Sequence, residues 1–234
     1  GVGEFGVGTI DDKMPYAYEE IWTYTGASNG LKAAGGCNVV GYKNTMAGYT
    51  LSLEIDPGHS ESLTDTSGCS GDGGNSGAGI TRSGYNWAIT GSPADGVNIG
   101  FGMGEEADKD ENATTAEDDQ YMTAYATYAM GGVTVGYQAS ANEGGTAGAA
   151  NNEVEIYGLS FAVNDNLAIS VNQMDNEVHH VSSAVVTEET TGFAASYTMG
   201  SASVRILNAE TTNLGGSKTV AAVEHTEISL LLAF

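Results

Sequence analysis

Most of this chain alternates in polarity with a period of two, a pattern that suits a strand and does not suit a helix. In "GYTLSLEID", Tyr49, Leu51, Leu53 and Ile55 share one face, with Thr50, Ser52, Glu54 and Asp56 opposite. The phasing returns in "DGVNIGFGMG" with Val97, Ile99, Phe101 and Met103, and in "GVTVGYQ" with Val133, Val135 and Tyr137. It returns again in "LAISVNQ" with Leu167, Ile169 and Val171, and in "GFAASYTM" with Phe193, Ala195, Tyr197 and Met199. Few windows repeat apolar residues at i, i+3, i+4 and i+7, and Gly, Thr, Ser and Asn are scattered through the segments that would have to be helical. The chain is therefore read as all-β.

Dyad strands build soluble sandwiches as well as membrane barrels, and the connections separate the two. "NTMA", "GSPAD", "GG", "NDN" and "GS" are tight, whereas 57–84, 105–119, 142–151, 176–191 and 209–224 are long and polar. Short turns at one end of a meander and long loops at the other are the layout of outer-membrane barrels. Greek-key crossings would not sort their loops this way. The apolar face carries Leu, Ile, Val and aromatic residues with no charge in its middle, as a lipid-facing band requires. The other face carries Ser, Thr, Asn and Gly with Glu54, Arg205 and Glu227 among them, which suits a wet interior. Tyr42, Tyr49, Trp87, Tyr128 and Phe161 near strand ends suit interfacial girdles.

Composition excludes several functions. The 234 residues include 30 acidic against 7 basic ones, a formal net charge of -23, which argues against nucleic acid as a partner because phosphate binding needs clustered Lys and Arg. At 41% hydrophobic residues the chain is too apolar for an acidic disordered segment. No stretch approaches the roughly 18 apolar residues of a membrane helix, and "GVGEFGVGTIDD" lacks a signal-peptide pattern.

Particular residues carry a family resemblance. "EFGVGTIDD", a stretch of some 25 residues, and then "NVVGYKNTMAGYTLSLEID" resemble the general bacterial porins, trimeric diffusion channels of the Gram-negative outer membrane. The resemblance implies an inward constriction loop at about 11–37, with Asp11, Asp12, Glu19 and Glu20 as its acidic groups, and Lys43 of "GYKN" at a basic position on the pore wall. "ISLLLAF" resembles the family's closing strand, whose last residue, here Phe234, is typically Phe and is read by the barrel-assembly machinery. About twelve alternating segments are present against the 16 to 18 strands typical of porins. We therefore expect residues 1–234 to be a single-domain C-terminal portion of such a barrel, with a complete barrel of about twelve strands, having a specific transport or enzymatic role, as the alternative.

The implied function is a water-filled passage for small hydrophilic solutes and ions, weakly cation-selective because few basic residues are in view. The implied setting is a homotrimer among outer-membrane lipid and lipopolysaccharide. An alternative class is a secreted, acidic, calcium-binding β-protein; it would need a repeated "GGxGxD" motif, and "CSGDGGNSGAG" is a single patch.

Other features have separate readings. "GEEADKDENATTAEDD" packs Asp108, Asp110, Glu117, Asp118 and Asp119 into one loop, a density of oxygen ligands that could hold Ca²⁺, but without EF-hand spacing, so a solvated acidic face is favoured. Cys37 and Cys69 are expected on the extracellular side, where an oxidising compartment favours a disulfide; two thiols labelled without reductant would end that expectation. "PGHSES" contains His59 and Ser60, yet no third group completes a catalytic set, and an enzyme is not expected. His179 and His180 are adjacent and lack the spaced third ligand of a zinc site.

Overall fold

The structure is a computed structural model, and it describes residues 4–8, 39–56, 59–60, 80–81, 83–106, 118–143, 151–180 and 184–232. Described in chain order, the strands are β1 (Glu4–Gly8), β2 (Val39–Met46), β3 (Tyr49–Asp56), the two-residue β4 (His59–Ser60) and β5 (Ile80–Thr81), β6 (Gly84–Ala94) and β7 (Val97–Glu106). They continue as β8 (Asp119–Met130), β9 (Val133–Glu143), β10 (Asn151–Ala162), β11 (Leu167–His179), β12 (Val186–Met199), β13 (Ala202–Thr212) and β14 (Val223–Leu232). β4 pairs only with β5. The other 12 form one sheet in which each strand lies beside its neighbour in sequence, antiparallel throughout. This is an up-and-down meander.

The expected sorting of connections is present. Residues 47–48, 95–96, 131–132, 163–166 and 200–201 make the turns at one end of the sheet; the more widely spaced strand ends, Asp56 and Gly84, Glu106 and Asp119, Glu143 and Asn151, His179 and Val186, and Thr212 and Val223, lie at the other. The first turn places both Ala47 and Gly48 at positive φ, 54° and 82°. A two-residue hairpin with both central residues left-handed matches the twist of the strands it joins.

Two boundary expectations are corrected: 209–224 read as a loop, yet β13 runs to Thr212, and the larger change lies one hairpin earlier. Residues 176–191 read as a loop, but β11 runs to His179 and β12 begins at Val186, leaving only 180–185 as the connection. The ladder continues past the point where apolar alternation stops: Asp175 pairs with Glu189 and Glu177 with Thr187. Hydrogen bonding holds the strand there although its outward side chains are polar, so periodicity is silent where the backbone is still regular.

The decisive property of the sheet is its sidedness. Large apolar side chains on one face are open: Leu53, Ile89, Ile99, Val135, Leu159, Phe161, Val171, Phe193, Ile206 and Leu230 are all exposed. Polar side chains on the other face are buried: Gln138 at 1%, Thr190 at 0%, Thr123 at 3% and Asn86 at 3% exposure. A water-soluble sandwich would show the reverse, because exposed apolar area of this extent is unfavourable in water. We call the buried face inward and the apolar face outward.

The outward band ends at a consistent height. Glu105 lies nine residues beyond Gly96, Glu155 nine before Asn164, Asp175 nine beyond Asn166, and Glu210 nine beyond Ser201, and each is the outward residue at which carboxylates begin on its strand. Nine residues at about 3.3 Å, on strands tilted about 40°, span about 23 Å, close to the apolar band of about 25 Å in outer-membrane barrels.

Candidate functional site

The inward wall is the candidate site. Period two puts every second side chain of β2, β3 and β6–β14 on it, and the antiparallel register aligns them into rows: Thr123 with Ser140, Tyr125 with Gln138, and Thr190 with Thr211. Thr123 Oγ1 and Ser140 Oγ are 2.8 Å apart, Gln138 Nε2 donates to Ser140 Oγ at 3.3 Å, and Thr190 Oγ1 and Thr211 Oγ1 are 2.9 Å apart. The two hydroxyl pairs thus join neighbouring strands, while Gln138 bonds Ser140 along its own strand, and each contact satisfies polar atoms that burial removes from water. Glycines make room for larger neighbours: a Cβ on Gly100 would collide with the ring of Tyr125, which lies across that position on the inward face.

The wall is less uniformly polar than the alternation implied. Val154, Ile156 and Met174 form a buried apolar cluster on it, Ile156 having 0% and Met174 1% exposure. The sequence reading missed it because in "EVEIYGLSF" both parities are apolar: Val154 and Ile156 point inward, while Tyr157, Leu159 and Phe161 point outward. No phase can be read from such a segment.

Of the wall residues expected from sequence, Ser52 is buried at 9% exposure, and Lys43 is its register partner on β2, with an exposed side chain. Glu54 takes register with Gly41 and Asn86. Arg205, half-buried, lies between Ser196 and Ser229, and Glu227, also half-buried, lies opposite Leu207. Lys43 and Arg205 sit on the strands next to the two edges, β2 and β13. They are therefore not gathered on one stretch of the described wall.

The structure adds Glu188, 3% exposed and inward. Its Oε2 accepts the Gly215 N–H at 2.7 Å, while Asn213 Nδ2 donates to the Thr187 carbonyl at 2.8 Å, so the turn at 213–216 is tied down over β12. "TEET" carries no sign of this, since Glu188 and Glu189 are adjacent and only the pleat sends them to opposite faces.

Asp11, Asp12, Glu19, Glu20, Cys37, Cys69, Asp108, Asp110, Glu117 and Phe234 lie outside the described residues. Asp118 is exposed just before β8, and Asp119 opens that strand opposite Glu106.

Aromatic residues border the outward band on both sides. Tyr49, Tyr128, Phe161 and Tyr197 stand near the short turns and are exposed. Toward the loops, the Tyr137 hydroxyl donates to Glu155 Oε1 at 2.6 Å and that of Tyr157 to Oε2 at 3.0 Å, and Tyr85 donates to Glu105 at 3.3 Å. Each pairing joins an apolar ring to a carboxylate at the level where the band ends, the amphipathic arrangement favoured at a membrane interface. Trp87 and Phe101 pack between these levels with ring centroids 5.3 Å apart.

No protein-family model and no curated protein sequence matches the chain. Solved structures do. A loop-deletion form of OmpT, an outer-membrane protein of Vibrio cholerae, is 12% identical with a TM-score of 0.69 over 99% of this chain and 76% of its own. The outer-membrane channel DcaP of Acinetobacter baumannii is 11% identical with a TM-score of 0.63, covering 97% of this chain and 69% of its own. An anion-selective porin from Comamonas acidovorans is 10% identical with a TM-score of 0.62, covering 85% and 60%. OmpT is also known in a trimer form, at a TM-score of 0.58. The chain has the porin-like fold of an outer-membrane β-barrel wall.

Proposed function

We propose that the chain forms the wall of an outer-membrane channel through which small hydrophilic solutes and ions diffuse passively, with a weak preference for cations. The observation that carries this reading is the inverted sidedness: apolar side chains are open on the outward face over a height of about 23 Å, and polar ones are held on the inward face. That arrangement needs hydrocarbon outside, and such a wall separates hydrocarbon from an interior of different chemistry. A spanning wall also leaves no free strand edge in lipid, so the outer edges of β1 and β14 are covered in the working barrel. The channel and porin neighbours support the passive role, and the trimer form of OmpT supports a trimeric assembly.

The sign of selectivity rests on charge. Acidic residues outnumber basic ones by 30 to 7 over the chain, and the described wall places Lys43 and Arg205 apart rather than in one cationic cluster. A cation drawn to the acidic mouth meets no concentrated positive barrier on this stretch, which favours its passage over an anion's. The measurement is the reversal potential of single channels in a planar bilayer under a tenfold salt gradient. A shift toward the cation equilibrium potential is expected; a shift toward the anion's would overturn the selectivity, and the absence of any conductance would overturn the channel itself.

A further inference from the structure

Along the chain His179 has Glu177 two residues before it on the same face, and β10 supplies a third group across the sheet. Glu153 is the register partner of Glu177, and Asn151 that of His179, so Glu153, Glu177 and His179 share the outward face. Their candidate ligand atoms all lie within 4.8 Å of one another. His179 Nε2 is 3.7 Å from Glu153 Oε1 and 3.7 Å from Glu177 Oε2. That nitrogen is inaccessible to solvent and has no hydrogen-bond partner, although the side chain as a whole is 37% exposed. The imidazole is thus aimed between two carboxylates with its polar atom withdrawn from water.

The surroundings concentrate negative charge at this point. Glu153 faces Glu177, and Asp175 faces both Glu155 and Glu189, while β10, β11 and β12 carry no Lys or Arg. Like charges directly opposite in a sheet destabilise it. A divalent ion held between the strands would turn that repulsion into a cross-link.

We propose that Glu153, Glu177 and His179 form a divalent metal site on the outward face of the wall, suited to zinc. One imidazole and two carboxylates are donors for a borderline ion with an open fourth position. Calcium prefers six to eight oxygens. Ligand atoms about 2.1 Å from a tetrahedral ion stand about 3.4 Å from one another, so the observed separations close with small side-chain movements. Glu153 lies eleven residues before Asn164 and Glu177 eleven beyond Asn166, two beyond the level at which the apolar band ends. The open position therefore points to the headgroup layer, and the site acts on the wall rather than on solutes in the lumen.

The test is calorimetric titration of the detergent-folded chain with zinc chloride in chelator-free buffer. One saturable site is expected, weakened by about 100-fold in His179→Ala, because loss even of a group that only orients a metal ligand costs about 10–100-fold; His180→Ala is expected to bind as the parent does. Should His179→Ala fail to fold, the folded Glu153→Gln/Glu177→Gln pair is titrated instead, with the visible absorption of cobalt(II) in the parent as a second readout. Saturable binding that survives these substitutions, no saturable binding at all, or no cobalt band of tetrahedral strength would each overturn the proposal. Channel conductance is a separate measurement, so this result and that of the bilayer experiment fail independently.

Discussion

The turn-side and loop-side halves of β10–β12 are continuous strands, yet their outward faces belong to different surroundings. Toward the turns the outward residues are Phe161, Leu159, Ile169, Val171, Phe193 and Tyr197; toward the loops they are Glu155, Glu153, Asp175, Glu177 and Glu189. The change comes within one pleat, at the level of Tyr157 and its hydrogen bond to Glu155. The backbone ladder runs through that level without a break. Secondary structure and solvent are thus decided separately along one strand: hydrogen bonding sets how far the strand runs, and side-chain polarity sets how deep it sits.

The sharpest way to break this comparison is to exchange charge between the halves. Leu159→Arg places a cation five residues before Asn164, near the middle of the band, and should cost about 2–4 kcal/mol of folding stability in lipid, whereas Glu210→Arg at the same boundary on β13 should cost about 0–1 kcal/mol. Urea titration of folding into phospholipid vesicles measures both. Equal costs would mean that the outward face does not contact hydrocarbon.

A smaller effect tests the inward side at the same depth. Gly100→Val would force the Tyr125 ring from its place across β7, and overpacking of this kind should cost about 1–3 kcal/mol. Adding Tyr125→Ala should restore part of the loss. If Gly100→Val alone were neutral in the same titration, Tyr125 would not lie across that glycine.

The smallest effect sharpens the boundary itself. Tyr137→Phe removes one of the two hydroxyls on Glu155 and should cost about 0.5–1 kcal/mol, with Tyr157→Phe similar and the double variant less than additive because both serve one carboxylate. Strict additivity in a double-mutant cycle would show that the hydroxyls do not share the carboxylate as drawn.

Much of the architecture was legible beforehand where one face of a strand differs from the other. "GYTLSLEID" and "GVTVGYQ" state their phase plainly, and the tight turns sit between strands as expected. Legibility failed in two places for two reasons. At Ile156–Tyr157 both faces are apolar, so the inward Val154, Ile156 and Met174 cluster leaves no periodic trace. At Asp175–His179 and Thr187–Thr191 the outward face turns polar while the strands continue, so a loop was expected where a ladder stands.

The candidate site divides in the same way. Parity alone assigns a side of the strand to Ser52, Arg205 and Glu227, and the register aligns each with its neighbours on that side. The role of Glu188 was not readable, because it depends on a turn 27 residues later returning to donate a hydrogen bond. Chain spacing set His179 and His180 aside as a zinc pair, and Glu153 comes beside His179 only through the pairing of β10 with β11.

By itself the sequence determined the period, the two unlike faces and the alternation of short with long connections, because each is a local property of neighbouring residues. Only the tertiary structure decided which face is outward, where the apolar band stops and which side chains meet across strands. Those depend on register, and register is set by the whole ladder: moving any one strand by a single residue would send every side chain on it to the opposite face.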